Sequence, residues 1–328
     1  MAWKKAAPLA MAVLLSLTAL SGCGGAGGQA LKMNVAAREG TVWSVAAETF
    51  AQIVEENAEG RWRVEIAYAH SDEDADRTFE RFLDGKADVD LRSVADMQSR
   101  DNRLSALSLP WLFTDYQDAD KRLFNGAGGE ALRDLLREIG FEPLALAENG
   151  FRQVTNNRRP IAAPADFRGL TIRVSDNELE TALFTQFGAE PIPMDWDKTF
   201  SALRDGAVLG QQNTLDAIRA AQVDRVQRYL TVWNSSYDPL CLSVSAALWE
   251  KLTDADKEIF RAAAQEACAA EIAASRAQEN EILSEFRAGG AQVTVLTDSQ
   301  IQAFRAAAEP VYEMWRGEEW LSALGYSG

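Results

Sequence analysis

Gly150-Phe-Arg152-Gln opens a stretch that runs through Arg159-Pro160-Ile161, Pro164-Ala-Asp166-Phe-Arg-Gly169-Leu-Thr-Ile-Arg173-Val174 and Phe187-Gly188-Ala189-Glu-Pro191-Ile-Pro193-Met194-Asp-Trp196, closing on Gly210-Gln211-Gln212-Asn213. Arg173 stands between Ile172 and Val174, inside what reads as a strand from Leu170 to Val174. A guanidinium there faces water or meets an anion, because an unpaired buried charge is strongly destabilising. A helix from Asp176 to Phe187, a strand near Pro191 and a helix from Asp195 to Asp205 follow by periodicity. The stretch reads as built to hold a negatively charged molecule, not to transform one.

The same alternation appears upstream. Leu31, Met33 and Val35 alternate with polar neighbours, as do Trp62, Val64, Ile66 and Tyr68, which predicts two half-buried strands. Helical spacing runs from Thr41 to Asn57 and, briefly, from Arg77 to Leu83, and Ala87–Leu91 suggests a third strand. Leu109–Phe113 reads as an apolar loop, followed by helical patterns at Asp118–Phe124 and Glu130–Ile139. A strand begins at Phe141, and Asn149-Gly150 reads as a turn. Past Asn213 the pattern is helical to about Leu230, and Leu240–Val244 is a strand. Strands alternating with helices give an α/β fold with a largely parallel sheet. Thr253 to Ala288 contains neither Gly nor Pro, with Thr253 as an N-cap and Gly289-Gly290 as a stop. At 1.5 Å per residue such a helix spans about 50 Å, enough to connect two lobes.

Met1 to Cys23 has the parts of an export signal: Lys4 and Lys5, an apolar run from Ala6 to Leu20, then Ser21-Gly22-Cys23. Leu20-Ser21-Gly22-Cys23 resembles the lipobox of bacterial lipoproteins, whose cysteine is acylated. The alternative is an ordinary signal cut nearby. On the lipoprotein reading, residues 1–22 are the signal, 23–30 a glycine-rich tether, and lipid at Cys23 holds the protein to a membrane face without spanning it. The formal net charge of −16 becomes −18 once Lys4 and Lys5 are removed. That charge argues against nucleic acid, which demands a basic footprint. It also means that anion capture must come from a local pocket, since the global field opposes it. Cys241 and Cys268 read as small core residues before they read as a bridge.

Much catalytic chemistry is missing. His70 is the one histidine, and no P-loop, G-x-S-x-G, C-x-x-C or H-E-x-x-H is present. Asp72, Asp74 and Asp76 imitate the start of a calcium loop, but Arg77 stands where glycine is needed and Leu83 where a ligand is needed, so no metal is expected. Gly126-Ala-Gly128-Gly129 reads as an interhelical loop before it reads as a phosphate cradle. No cofactor is implied.

Four segments together resemble the substrate-binding proteins of TRAP transporters, the tripartite ATP-independent periplasmic systems: Gly150-Phe-Arg152, Pro164 to Val174, Gly188 to Trp196, and Gly210 to Asn213. Leu109–Phe113 and Arg61–Tyr68 add to the match, which extends from about Leu31 to Trp315. The resemblance implies a two-lobe, type II periplasmic-binding-protein fold with a ligand cleft and one long helix behind both lobes. Lobe I is then 31–149 plus about 238–275, and lobe II is 150–237 plus about 276–328. It further implies that Arg173 binds a substrate carboxylate, with Arg152, Trp196 and Asn213 beside it, and that a TRAP membrane permease receives the small organic acid. Guanidinium matches carboxylate in two parallel hydrogen bonds, which lysine does not. Other roles stay open: Arg173 as a solvent-facing strand residue, Arg152 as a salt bridge bracing the cleft, Trp196 as core.

The chain departs from the family where Leu209, Gln212 and Thr214 replace the usual acid, acid and proline, and where Ser71-Asp72-Glu73-Asp74 replaces a Gly-Asp turn. These differences bear on which substrate is bound. Two rivals use the same cleft: a ligand-binding module of a sensory receptor, and an exported hydrolase or lyase. The latter needs a nucleophile or a tuned acid–base pair that the sequence does not offer.

Overall fold

Alternation in β1 (Gln29–Val35) turns Leu31, Met33 and Val35 inward, where all three are fully buried. Those side chains begin the core of the first of two sheets in this computed structural model, which describes residues 28–315 and 319–326. The remaining strands are β2 (Trp62–Tyr68), β3 (Val89–Ser93), β4 (Phe141–Asn156), β5 (Thr171–Val174), β6 (Glu190–Pro193), β7 (Gly210–Thr214), β8 (Tyr229–Val232), β9 (Tyr237–Ser245) and β10 (Gln292–Val295). The first sheet has the order β2-β1-β3-β9-β4, parallel among β1, β2 and β3 and antiparallel on both sides of β9. The second runs β10-β8-β4-β7-β5-β6, with β5 parallel to both β6 and β7.

One strand serves both sheets. Residues 141–151 of β4 pair with β9, whereas Arg152–Asn156 pair with β7. The register with β9 shifts between Glu148 and Gly150. Gly150 takes φ +96°, a conformation glycine adopts without a Cβ penalty. The turn expected at Asn149-Gly150 is therefore a bulge: the chain bends there and continues into the second sheet, because β9 remains paired on both sides of it.

The helix Asp254–Ala288 is capped by the Thr253 side chain, which accepts from the Asp256 N–H. Its first half packs Phe260, Ala263, Ala264 and Ala267 into the core shared with β1 and the helix Trp43–Asn57. Its last turns place Ile282 and Phe286 in a separate core with Leu203, Ile218 and Leu230 of the second lobe. A fully buried Phe contributes about 1.5–3 kcal/mol, so each end of the helix is anchored to its own lobe. Between them the helix turns polar where it crosses β4.

Three further expectations change. The helix expected at Arg77–Leu83 begins at Asp72, since the Ser71 side chain accepts from Asp74 N–H and three acids favour its N-terminus. Helix past Asn213 ends at Ala220, and β8 follows; the apolar residues Leu230 and Val232 belong to a strand that pairs with β4 and β10. Gly126–Gly129 starts the helix Ala127–Glu138, and its glycines are packing residues: a Cβ at Gly129 would lie 2.0 Å from the Leu123 carbonyl oxygen. Cys241 and Cys268 are both buried free thiols, and His70 is exposed.

Candidate functional site

Strand register sets the site. β5 lies between β6 and β7, so Arg173 is flanked by Ile192 and Gln211. β7 can fit there because it carries Gly210: a Cβ on that residue would meet the Thr155 carbonyl oxygen at 2.4 Å. The Arg173 side chain is 4 % exposed, which removes the solvent-facing alternative. Its Nε donates to the Met194 carbonyl oxygen at 2.8 Å, and its guanidinium carbon lies 5.3 Å from the centre of the Trp196 ring. No ion pair engages it among the described residues. Burial pushes its pKa down to about 10, against the pull of Glu180 and with the push of Arg152.

Arg152 differs. Its guanidinium lies 3.5 Å from a Glu180 oxygen and 3.6 Å from an Asp238 oxygen, and it donates to the Gln212 carbonyl at 3.2 Å. Two acids therefore share its charge, while its buried Nε has no acceptor among the described residues. Burial pushes Glu180 up, but Arg152, Arg173 and bonding from Ser175 outweigh it and hold the carboxyl below the usual range. Asp238 is raised by burial, opposed by Arg152, Ser93 and Asn149.

Trp196 opens the helix Trp196–Asp205, half-buried, with its ring against Arg173. Its backbone N–H donates to the carboxylate of Asp72, the first residue of the helix Asp72–Leu83 in the other lobe. Gln98 makes a second crossing: it donates to the Asp176 carbonyl at 2.8 Å and accepts from Asn177 at 3.2 Å. Asn213 is buried on β7 opposite Gln153, and its side-chain oxygen accepts from the Thr214 N–H at 2.9 Å. The structure thus gathers Arg152 and Arg173 near Glu180, with Trp196 against Arg173, and with Asn213 on the adjoining strand and without a hydrogen bond to either arginine among the described residues.

Behind the site, where β4 bends, a polar network joins the lobes to the long helix. Arg276 binds Glu148 at 2.9 Å and Asp120 at 2.7 Å, and Tyr237 donates to Glu148 at 2.7 Å. Asn149 donates to Asp238 at 2.9 Å and accepts from Thr214 at 3.0 Å. Glu180, Asp238, Asp72 and the Glu148–Arg276 pair were not legible as site or hinge residues. Acids are usually solvated, and only the fold turns these inward. Among the described residues no His, Cys, Asp and Glu cluster has metal-ligand geometry, and no helix is long and apolar enough to cross a membrane. Cys23 lies outside the described residues.

Residues 33–318 match the family described as bacterial extracellular solute-binding protein, family 7. The chain belongs to this family. It is 31 % identical to a solute-binding protein of Verminephrobacter eiseniae, over 86 % of this chain and 83 % of that one. It is 29 % identical to the sialic acid-binding periplasmic protein of Vibrio cholerae, over 86 % and 87 %. A TRAP periplasmic solute-binding protein of Ralstonia eutropha, solved with bound (S)-2-acetolactate, superposes with a TM-score of 0.84 at 32 % identity, covering 90 % of this chain and 98 % of that one. One from Polaromonas, bound to D-erythronate, gives 0.82 at 29 % identity, covering 90 % and 97 %. The chain is thus a TRAP-type periplasmic solute-binding protein with the two-lobe fold, and its relatives are binding proteins, not enzymes.

Proposed function

We propose that this solute-binding protein captures a small organic acid by its carboxylate, using Arg173 with the Trp196 ring as one wall, and presents it in the closed form to TRAP permease subunits. Arg173 carries the reading. It is a deeply buried guanidinium whose Nη groups have no acceptor among the described residues, so it is a fork awaiting a carboxylate. Arg152, neutralised by Glu180 and Asp238, braces the cleft beside that fork, and Asn213 contributes its free amide donors from β7. Acetolactate and erythronate in the similar structures are both carboxylates, which supports the same class of ligand here. Lobe I comprises 31–149 and about 238–275, and lobe II 150–237 and about 276–328. The β4 bulge opposite Tyr237–Asp238 and the polar middle of the long helix suit those boundaries. Lipid at Cys23 attaches the protein to a membrane face bordering the periplasm, its family's location.

Closure follows from differential affinity: a ligand closes the lobes only so far as it binds the closed form better. Asp72–Trp196 and Gln98–Asp176 cross between the lobes, so that opening the cleft would break them. Native mass spectrometry of gently purified protein, followed by titration calorimetry against small carboxylic acids, tests the reading. A co-purifying organic acid that rebinds after its removal is expected. Binding only of uncharged or cationic solutes would overturn it.

A further inference from the structure

We propose that Asp96 is a selectivity residue of this cleft, admitting monocarboxylates that bear hydroxyl groups and rejecting dicarboxylates. The proposal rests on the carboxylate clamp at Arg173. Asp96 lies on the 3-10 turn Ala95–Ser99 that follows β3. That turn is tied down on both sides. Before it, the Ser93 hydroxyl donates to Asp238; after Asp96, Gln98 reaches Asp176 and Asn177 of the second lobe. Asp96 is therefore held at the lip where the lobes meet.

The Asp96 carboxyl is accessible, and no hydrogen bond engages it among the described residues. Burial nevertheless dominates its ionisation and pushes its pKa up to about 7, with Arg92 and Arg152 opposing and Asp238 and Asp72 reinforcing. Its place is set by the turn: Ser93 before it bonds Asp238 and Gln98 after it bonds the second lobe, so the exposed carboxyl between them opens at the mouth of the cleft. Arg92, the strongest of the charges it senses, is buried in the first lobe with Asp90, whereas Asp238, Arg152 and, beside the Trp196 contact, Asp72 belong to the cleft.

The charge balance then decides what fits. Arg152 already has Glu180 and Asp238, so Arg173 is the one cleft cation without an ion pair among the described residues. The site has an opening for one negative charge. A second carboxylate extending from Arg173 towards the first lobe approaches Asp96 and Asp72, and like charges across a desolvated gap repel. Hydroxyl groups donate to an acceptor-only carboxylate instead. An ionised Asp96 thus rewards a polyhydroxy tail and penalises a second acid.

Calorimetry at pH 8 compares two homologous series, hydroxy monocarboxylates from glycolate through D-erythronate to gluconate, and dicarboxylates from malonate to adipate. Wild type is set beside Asp96→Asn and Arg173→Ala. The best hydroxy acid is expected to bind at least 100-fold more tightly than the best dicarboxylate, and Asp96→Asn is expected to narrow that ratio at least tenfold, mainly by gaining dicarboxylate affinity. A wild-type ratio below tenfold, a ratio unmoved in Asp96→Asn, or no binding in either series would sink the proposal. If Arg173→Ala still abolishes binding while Asp96→Asn changes nothing, the clamp stands and only the selectivity role falls. If Arg173→Ala binds like wild type, the clamp itself is wrong.

Discussion

Replacing Arg173 by methionine is expected to weaken ligand binding severely while making the unliganded protein more stable. These opposite signs separate a binding arginine from a structural one. Two hydrogen bonds to a carboxylate, each contributing about 1.5–3 kcal/mol, amount to about 3–6 kcal/mol, or about 10²–10⁴-fold in Kd. Without ligand, the same guanidinium is a burden. Its pKa is pushed down to about 10 by burial, which corresponds to about 3 kcal/mol of ionisation cost. Because the folded-state value lies below the unfolded one, that cost is present at every pH below about 10 and is relieved only above it. Against it stand the bond to the Met194 carbonyl, about 1 kcal/mol, and the contact with the Trp196 ring, about 0.5–1 kcal/mol. The unliganded Arg173→Met protein is therefore expected to gain about 1 kcal/mol, a rise in Tm of about 2–4 °C. Calorimetric titration and thermal unfolding with and without ligand measure both quantities on one sample. A variant that binds normally, or that loses binding and unliganded stability together, would refute the reasoning.

Removing the Asp72 carboxylate by Asp72→Ala strips the interlobe acceptor for the Trp196 N–H; since a bond to a charged group is worth about 1.5–3 kcal/mol, Kd is expected to rise at least tenfold through faster dissociation, with Asp72→Asn intermediate. Stopped-flow dissociation rates equal to wild type would remove Asp72 from the closure mechanism. Glu271, fully buried on the long helix, accepts from the Glu148 N–H with one oxygen while the other is unpartnered among the described residues. Burial raises its pKa well above the ordinary value; the Glu148 N–H bond and Arg276 oppose the rise, and the charges of Glu148 and Asp216 add to it. The folded state consequently binds a proton the unfolded state releases, so stability is fullest below the usual carboxylate range and falls as pH rises through it. Urea unfolding from pH 4 to pH 8 is expected to show that decline in wild type and a flatter profile in Glu271→Gln, with a gain of about 1–3 kcal/mol at pH 8. Parallel profiles would contradict it.

The strands read from alternation, β1 and β2, and the helices read from 3.6-residue spacing, Trp43–Asn57 and Asp254–Ala288, were legible because burial on one face writes its period into the chain. Asn149-Gly150 was misread because asparagine and glycine favour a reversal and a bulge alike; only the continuous pairing with β9 distinguishes them. β8 and β10 were missed for a related reason. β8 was absorbed into the helical pattern read to Leu230, and only its pairing with both β4 and β10 makes it a strand.

The amino-acid sequence alone determined that this is an acidic α/β protein with an arginine in an apolar strand, because composition, periodicity and local motifs are properties of neighbours along the chain; the two-lobe binding fold was implied by the family resemblance of those motifs. Tertiary structure alone decided that Arg152 is already neutralised and Arg173 is not, and that Asp72 meets Trp196 across the lobes. Those outcomes depend on which charges lie within a few ångströms once water is excluded, and residues some 30 to 120 positions apart acquire that proximity only when β4 bends and the lobes close.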